Sequence, residues 1–238
     1  MGRLDGKVAF ITGAAHGQGR SHAVRLAEEG ADIIAIDICK QMETVAYPMG
    51  TAEELAQTGK EVEALGRRIV TRQADVRDVK ALQEAFDAGR EELGPVQIVC
   101  ANAGIGPSAL TTPEQQWDEV IGVNLTGVWN TGRVAIPQMI EHGQGGAIVL
   151  TSSTGGLIGP GMAAAGTLGY TASKHGVIGL MRSWRTTWPH TSSGSTAWPR
   201  RRSGPRWPAE ATSRRFWSTL RSWPAPCSTP CRSRRSIR

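Results

Sequence analysis

Short apolar runs spaced by longer amphipathic stretches are the feature that most narrows what this chain can fold into. The runs are KVAFIT, ADIIAID, RRIVTRQ, VQIVCA and GAIVLTS, and helical patterns such as RSHAVRLAEEG and VKALQEAFDAGREELG lie between them. A strand that is apolar on both faces is buried on both faces, and strand–helix alternation brings successive strands into one parallel sheet. The expectation is an α/β fold with a doubly wound parallel sheet in one domain, for which 238 residues suffice. A longer helix is expected over PEQQWDEVIGVNLTGVWNTGRVAIPQMIEH, and a further one from near Tyr170 through SKHGVIGLMRSW. There are no internal repeats.

The first run leads directly into TGAAHGQGR, which places Gly13, Gly17 and Gly19, with Gln18 between the last two, where a strand turns into a helix. Glycine allows the sharp turn and lets the backbone approach a pyrophosphate, while the helix N-terminus offers free N–H groups. The second run ends in Asp37, a carboxylate able to accept both hydroxyls of a ribose and to repel a 2′-phosphate. This is the pattern of a Rossmann dinucleotide site for NAD.

TGAAHGQG, the NAG at Asn102, Ala103 and Gly104, then Asn124, Ser153 and YTASK resemble, in this order, the short-chain dehydrogenase/reductases from residue 5 to about 184. The insertion DICKQMETVAYPMGTAEELAQT and the stretch GQGRSHAVRLAEEGADIIAIDIC resemble the mycofactocin-associated, carveol dehydrogenase-like branch. The resemblance implies a tightly held NAD, re-oxidised with mycofactocin as external electron acceptor. It implies that Asp75 and Val76 hold the adenine, and that intact relatives form homo-tetramers.

Tyr170 and Lys174 stand four apart on the expected helix, hence on one face. A phenol ordinarily keeps its proton at neutral pH, and an ammonium one turn away favours the phenolate. The resemblance implies oxidation of a small hydrophobic, terpenoid-like secondary alcohol to a ketone, with Tyr170 as the base. It further implies that Lys174 reaches the nicotinamide ribose, that Ser153 bonds the substrate oxygen, and that Asn124 holds a water linking Lys174 to solvent. Ser152 stands as the alternative to Ser153. The glycine- and alanine-rich GPGMAAAGTLG makes the Ser153–Tyr170 spacing longer than is usual in the family, as the same branch implies.

After Trp184 the pattern stops. Residues 185–238 hold twelve arginines and a single acid, Glu210, without any Val, Lys or Asp, whereas the preceding part is net acidic. The family resemblance calls for IRVNSVxP, a sixth strand, followed by a loop over the nicotinamide, and neither is present. One G restored at the Trp184–Arg185 junction, with GC-rich codons, turns RTTWPHTSSGSTAWPRRRSGPRWPA into ANDLAPHFIRVNSVAPTAVGTPMAG. The expectation is therefore an NAD-binding Rossmann domain over 1–188 and a frameshifted, disordered basic tail over 189–238, with the fifth apolar run, GAIVLTS, left bare at its edge and activity impaired. The rival reading is a non-catalytic vestigial Rossmann protein whose basic tail binds nucleic acid; no specific nucleic-acid partner is expected on the preferred one.

No apolar run approaches the ~20 residues that span a bilayer, and the N-terminus has no signal pattern, so a cytoplasmic protein without membrane contact is expected. Cys39 and Cys100 read as reduced core thiols. Cys227 and Cys231 have metal-pair spacing without partner ligands, so no metal is expected.

Overall fold

The computed structural model describes residues 2–107, 110–159, 161, 164–187 and 194–200. The five apolar runs form β1 (Val8–Thr12), β2 (Asp32–Asp37), β3 (Ile69–Gln73), β4 (Ile98–Ala101) and β5 (Ala147–Ser153). The helices are α1 (Gly17–Glu28), α2 (Ala52–Glu63), α3 (Val79–Leu93), α4 (Pro113–Ile121), α5 (Gly127–His142) and α6 (Ala165–Thr187). With β6 (Gly194–Arg200) the sheet has the order β3-β2-β1-β4-β5-β6, and its pairings are parallel. This is the doubly wound Rossmann arrangement. The order reverses between β1 and β4, which leaves a crevice at the C-terminal ends of these strands.

Every residue of β1 and β2 is buried, so these runs show no polar alternation. Phe10 of β1 meets Phe86 of α3 edge to face, with ring centroids 5.1 Å apart. Burying a side chain of this size stabilises the fold by roughly 1.5–3 kcal/mol. Helix starts follow local chemistry. Thr51 and Glu54 form a reciprocal capping box at α2, Asp78 caps α3, and Thr112 caps α4 ahead of Pro113. These caps determine where each strand-to-helix loop ends, and so where the loops over the crevice lie.

Three features differ from the sequence-based expectations. The stretch 113–142 is not one helix, because a π-helical turn, Gly122–Thr126, separates α4 from α5. The widened turn carries buried Asn124, whose amide bonds the backbone of Ile105. Helix α6 begins at Ala165, ahead of Tyr170. Finally, β5 does not have a bare edge: β6 runs alongside it in register from Ala147↔Gly194 to Ser153↔Arg200. Strand pairing draws on backbone groups that every non-proline residue carries, so it needs no apolar period. Pro199 is admissible there because β6 is the outermost strand.

The compact unit that holds the sheet spans Met1–Arg202. The rest of the basic tail, with Cys227 and Cys231, lies outside the described residues. Among the described residues no helix is long and apolar enough to cross a membrane, and no group of three or more His, Cys, Asp or Glu is placed to hold a metal. Burial pushes the Cys100 thiol up to about 12. Burial, with Asp37, Glu53 and Glu54 nearby, pushes that of Cys39 up to about 11. Both remain thiols at neutral pH; Cys100 is a core cysteine as expected, whereas Cys39, just past β2, is only half-buried.

Candidate active site

The β1–α1 turn uses its three glycines for different reasons. Gly13 has φ +68°, and a Cβ there would lie 2.8 Å from the Ala103 backbone. Gly19 packs so closely on Gly13 that any side chain would overlap its carbonyl. Gly17 has φ +57° and open space where a Cβ would be. Behind it α1 starts at His16 without a side-chain cap. A backbone surface with room in front and unclaimed helix N–H groups fits a dinucleotide pyrophosphate.

Asp37 closes the end of β2. Its Oδ2 accepts from the Ala15 N–H at 3.0 Å and its Oδ1 from the Cys39 N–H at 3.1 Å. The side chain therefore ties β2 to the glycine turn. Asp75 carries a 2.6 Å ion pair with Arg77, and buried Val76 has its carbonyl bonded by the Asn130 amide at 2.9 Å. Both line a cleft of about 260 Å³ together with Gly13, Gly17, Gln18 and Asp37.

The Asn102–Gly104 loop is fastened to the end of β1. The Thr12 hydroxyl accepts from the backbone N–H groups of Asn102 and Ala103, at 3.1 and 3.0 Å. The Asn102 amide donates to the Thr12 carbonyl, and its oxygen accepts from the Thr151 hydroxyl. A Cβ on Gly104 would lie 3.2 Å from Asn124 Oδ1 and 3.5 Å from Lys174 Nζ. This loop therefore lies between the cleft and the side chains of Asn124 and Lys174.

Lys174 is buried, and its Nζ donates to the Thr151 carbonyl at 2.8 Å while lying 5.8 Å from the centre of the Tyr170 ring. Ser152 and Ser153 have separate duties. The Ser152 hydroxyl donates to the Lys174 carbonyl at 3.0 Å, which joins β5 to α6. Ser153 Oγ accepts from the Gly155 N–H at 3.2 Å, and a Cβ on Gly155 would stand between that oxygen, at 3.7 Å, and the Tyr170 ring, at 3.3 Å. Ser153 is thus the serine on the tyrosine side. Asn124 uses both ends of its amide on Ile105, with 2.8 Å to the backbone N–H and 2.8 Å to the carbonyl. Leu157 and Ile158, which follow Ser153 by a few residues, are exposed apolar side chains.

Two participants were given no role in the site from the sequence. Thr12 is one, visible only as a threonine ending an apolar run. The insertion is the other: Gln41 braces its turn by donating to the carbonyls of Met42, Val45 and Tyr47. The Tyr47 hydroxyl accepts from the Gly106 N–H at 2.8 Å, and Thr44 bonds Glu119. The insertion thereby bridges the cleft from β2 to α4.

Residues 7–192 match the short chain dehydrogenase family. A short-chain type dehydrogenase/reductase of Mycolicibacterium smegmatis is 56% identical over 187 residues, which cover 77% of this chain and 66% of that protein. (-)-trans-Carveol dehydrogenase of Rhodococcus erythropolis is 50% identical over 186 residues, covering 77% and 66%. The chain thus spans just under two thirds of these relatives' length. The crystal structure of carveol dehydrogenase from Mycobacterium avium in complex with NAD superposes with a TM-score of 0.77 at 52% identity, covering 83% of this chain and 71% of that one.

Proposed function

Because this chain belongs to the short-chain dehydrogenase/reductase family, we propose that it carries the site of an NAD-dependent oxidoreductase acting on a secondary alcohol of small, apolar, terpenoid-like kind. The observation that carries the reading is the meeting of Tyr170, Lys174 and Ser153 across the Asn102–Gly104 loop from the glycine turn. NAD, when bound, supplies the hydride acceptor. Ser153 Oγ holds the substrate oxygen, Tyr170 Oη receives the hydroxyl proton, and the Lys174 ammonium, anchored on the Thr151 carbonyl, favours the phenolate. Asn124 positions the loop through Ile105, and its main chain is left to hold the water that relays the proton outward. Exposed Leu157 and Ile158, shortly after Ser153 in the chain, favour a hydrocarbon substrate.

The bridged insertion supports a tightly held cofactor, regenerated by an external acceptor such as mycofactocin instead of by exchange. The same reading takes residues 189–238 as frameshifted and activity as impaired. Its support is that the match to the M. smegmatis and R. erythropolis proteins leaves about a quarter of this chain and a third of theirs unmatched. A cytoplasmic homo-tetramer belongs to the repaired form. The test uses protein with one G restored at the Trp184–Arg185 junction. Single-turnover reduction of bound NAD by hydrophobic secondary alcohols should fall ~10²–10⁴-fold in Tyr170→Phe, with NAD still held. Equal rates in variant and parent would remove Tyr170 as the base.

A further inference from the structure

The Asp37 carboxylate is enclosed as well as bonded. It is only 7% exposed, with the Ala15 N–H on one oxygen and the Cys39 N–H on the other. Buried Gly50, the last residue of the insertion, covers a third side: a Cβ there would lie 3.0 Å from Asp37 Oδ1 and 2.7 Å from the Ala15 Cβ. None of these walls is free to retreat. The Ala15 carbonyl accepts two bonds from the Arg20 guanidinium, which also donates to the Thr58 hydroxyl and the Glu54 carbonyl. Thr58 in turn donates to the Ala14 carbonyl at 3.0 Å. Gly50 is held from the other direction, because Thr51 beside it belongs to the capping box with Glu54. Helix α2 therefore clamps both the glycine turn and the end of the insertion around one carboxylate.

We propose that the insertion, through Gly50, is a second determinant of cofactor choice: it walls off the space beside Asp37, so a 2′-phosphate is excluded by shape as well as by charge. This rests on the reading of the cleft as an NAD site. A 2′-phosphate adds a dianionic group just where the ribose meets Asp37. In an open site, neutralising the acid removes the main obstacle to that group. Here the obstacle that remains is backbone clamped by Arg20, Thr58 and the capping box.

The test measures NAD⁺ and NADP⁺ binding to the full chain by calorimetry, without turnover. Asp37→Asn keeps the shape and removes the charge; it should lose NAD⁺ affinity about tenfold, in line with the loss of charged hydrogen bonds, and gain no NADP⁺ binding. Adding to it a replacement of residues 40–50 by Gly-Gly, which removes the Gly50 wall, should raise NADP⁺ affinity at least about tenfold. Gly50→Ala, a variant that leaves both charge and loop length intact, should weaken NAD⁺ at least about tenfold, because its Cβ presses on Asp37 and Ala15. Asp37→Asn binding NADP⁺ as tightly as NAD⁺ would overturn the proposal, as would Gly50→Ala binding NAD⁺ like the parent. A parent that, stripped of any dinucleotide it carries, binds neither NAD⁺ nor NADP⁺, and that carries none as purified, would instead overturn the NAD site itself.

Discussion

The two halves of the proposed site, a nucleotide half around the glycine turn and a catalytic half around Tyr170 and Lys174, are built to different standards of independence. The nucleotide half is tied together by β1, β2, the insertion and α2, within the first 75 or so residues. The catalytic half hangs on β5 and α6, and β5 has on its far side β6, drawn from the stretch that follows Trp184. Where two elements share buried polar bonds with near neighbours in sequence, a change far down the chain reaches them weakly. On the proposed function, cofactor binding and chemistry are therefore expected to be separable.

The sharpest way to break that comparison is to insert one G at the Trp184–Arg185 junction, which the proposed function takes as the point of a frameshift. Alcohol-dependent reduction of bound NAD should rise by ~100-fold or more, the penalty usually attached to misplaced reacting groups. NAD affinity should change by less than about threefold, a shift of under ~1 kcal/mol. If affinity rises as much as rate, the two halves are not separate, and calorimetry beside single-turnover kinetics decides it.

A smaller effect tests the seam between the halves. Thr12→Val keeps the volume but removes the acceptor for the Asn102 and Ala103 N–H groups. Each abandoned donor costs roughly 1–3 kcal/mol. The melting temperature should drop by about 4–10 °C for a domain of this size, and NAD should weaken while α6 chemistry at saturating NAD changes less.

The smallest effect concerns α1 alone. Burial pushes His22 down to about 4, against 6.5 for an ordinary histidine. Between these values the unfolded chain binds more protons than the folded one, so stability is full above pH 6.5 and declines as pH falls toward 4. Thermal melts across that window should show a slope of a few degrees, flattened in His22→Gln. A slope that persists in the variant would assign it to other groups.

Much of the nucleotide half was legible because its signals are local. A strand entering Gly13, Gly17 and Gly19 and a second strand ending at Asp37 report backbone needs that only certain residues satisfy. The division of labour between Ser152 and Ser153 was not legible, since it depends on which face of β5 meets α6. Nor was the π-helical turn, which follows from Asn124 reaching Ile105 across the loop. The partner strand for β5 was misjudged because pairing uses backbone groups common to all sequences.

By itself the sequence determined the strand–helix alternation, the glycine turn, the acid at the end of β2 and the tyrosine–lysine spacing, since each is a periodicity or a local steric demand. Tertiary structure alone decided that Thr12 fastens the Asn102–Gly104 loop and that Tyr47 closes the insertion across the cleft. It alone set Gly50 against Asp37. These are contacts between residues far apart in the chain, and no pattern along a sequence encodes a distance that only folding brings about.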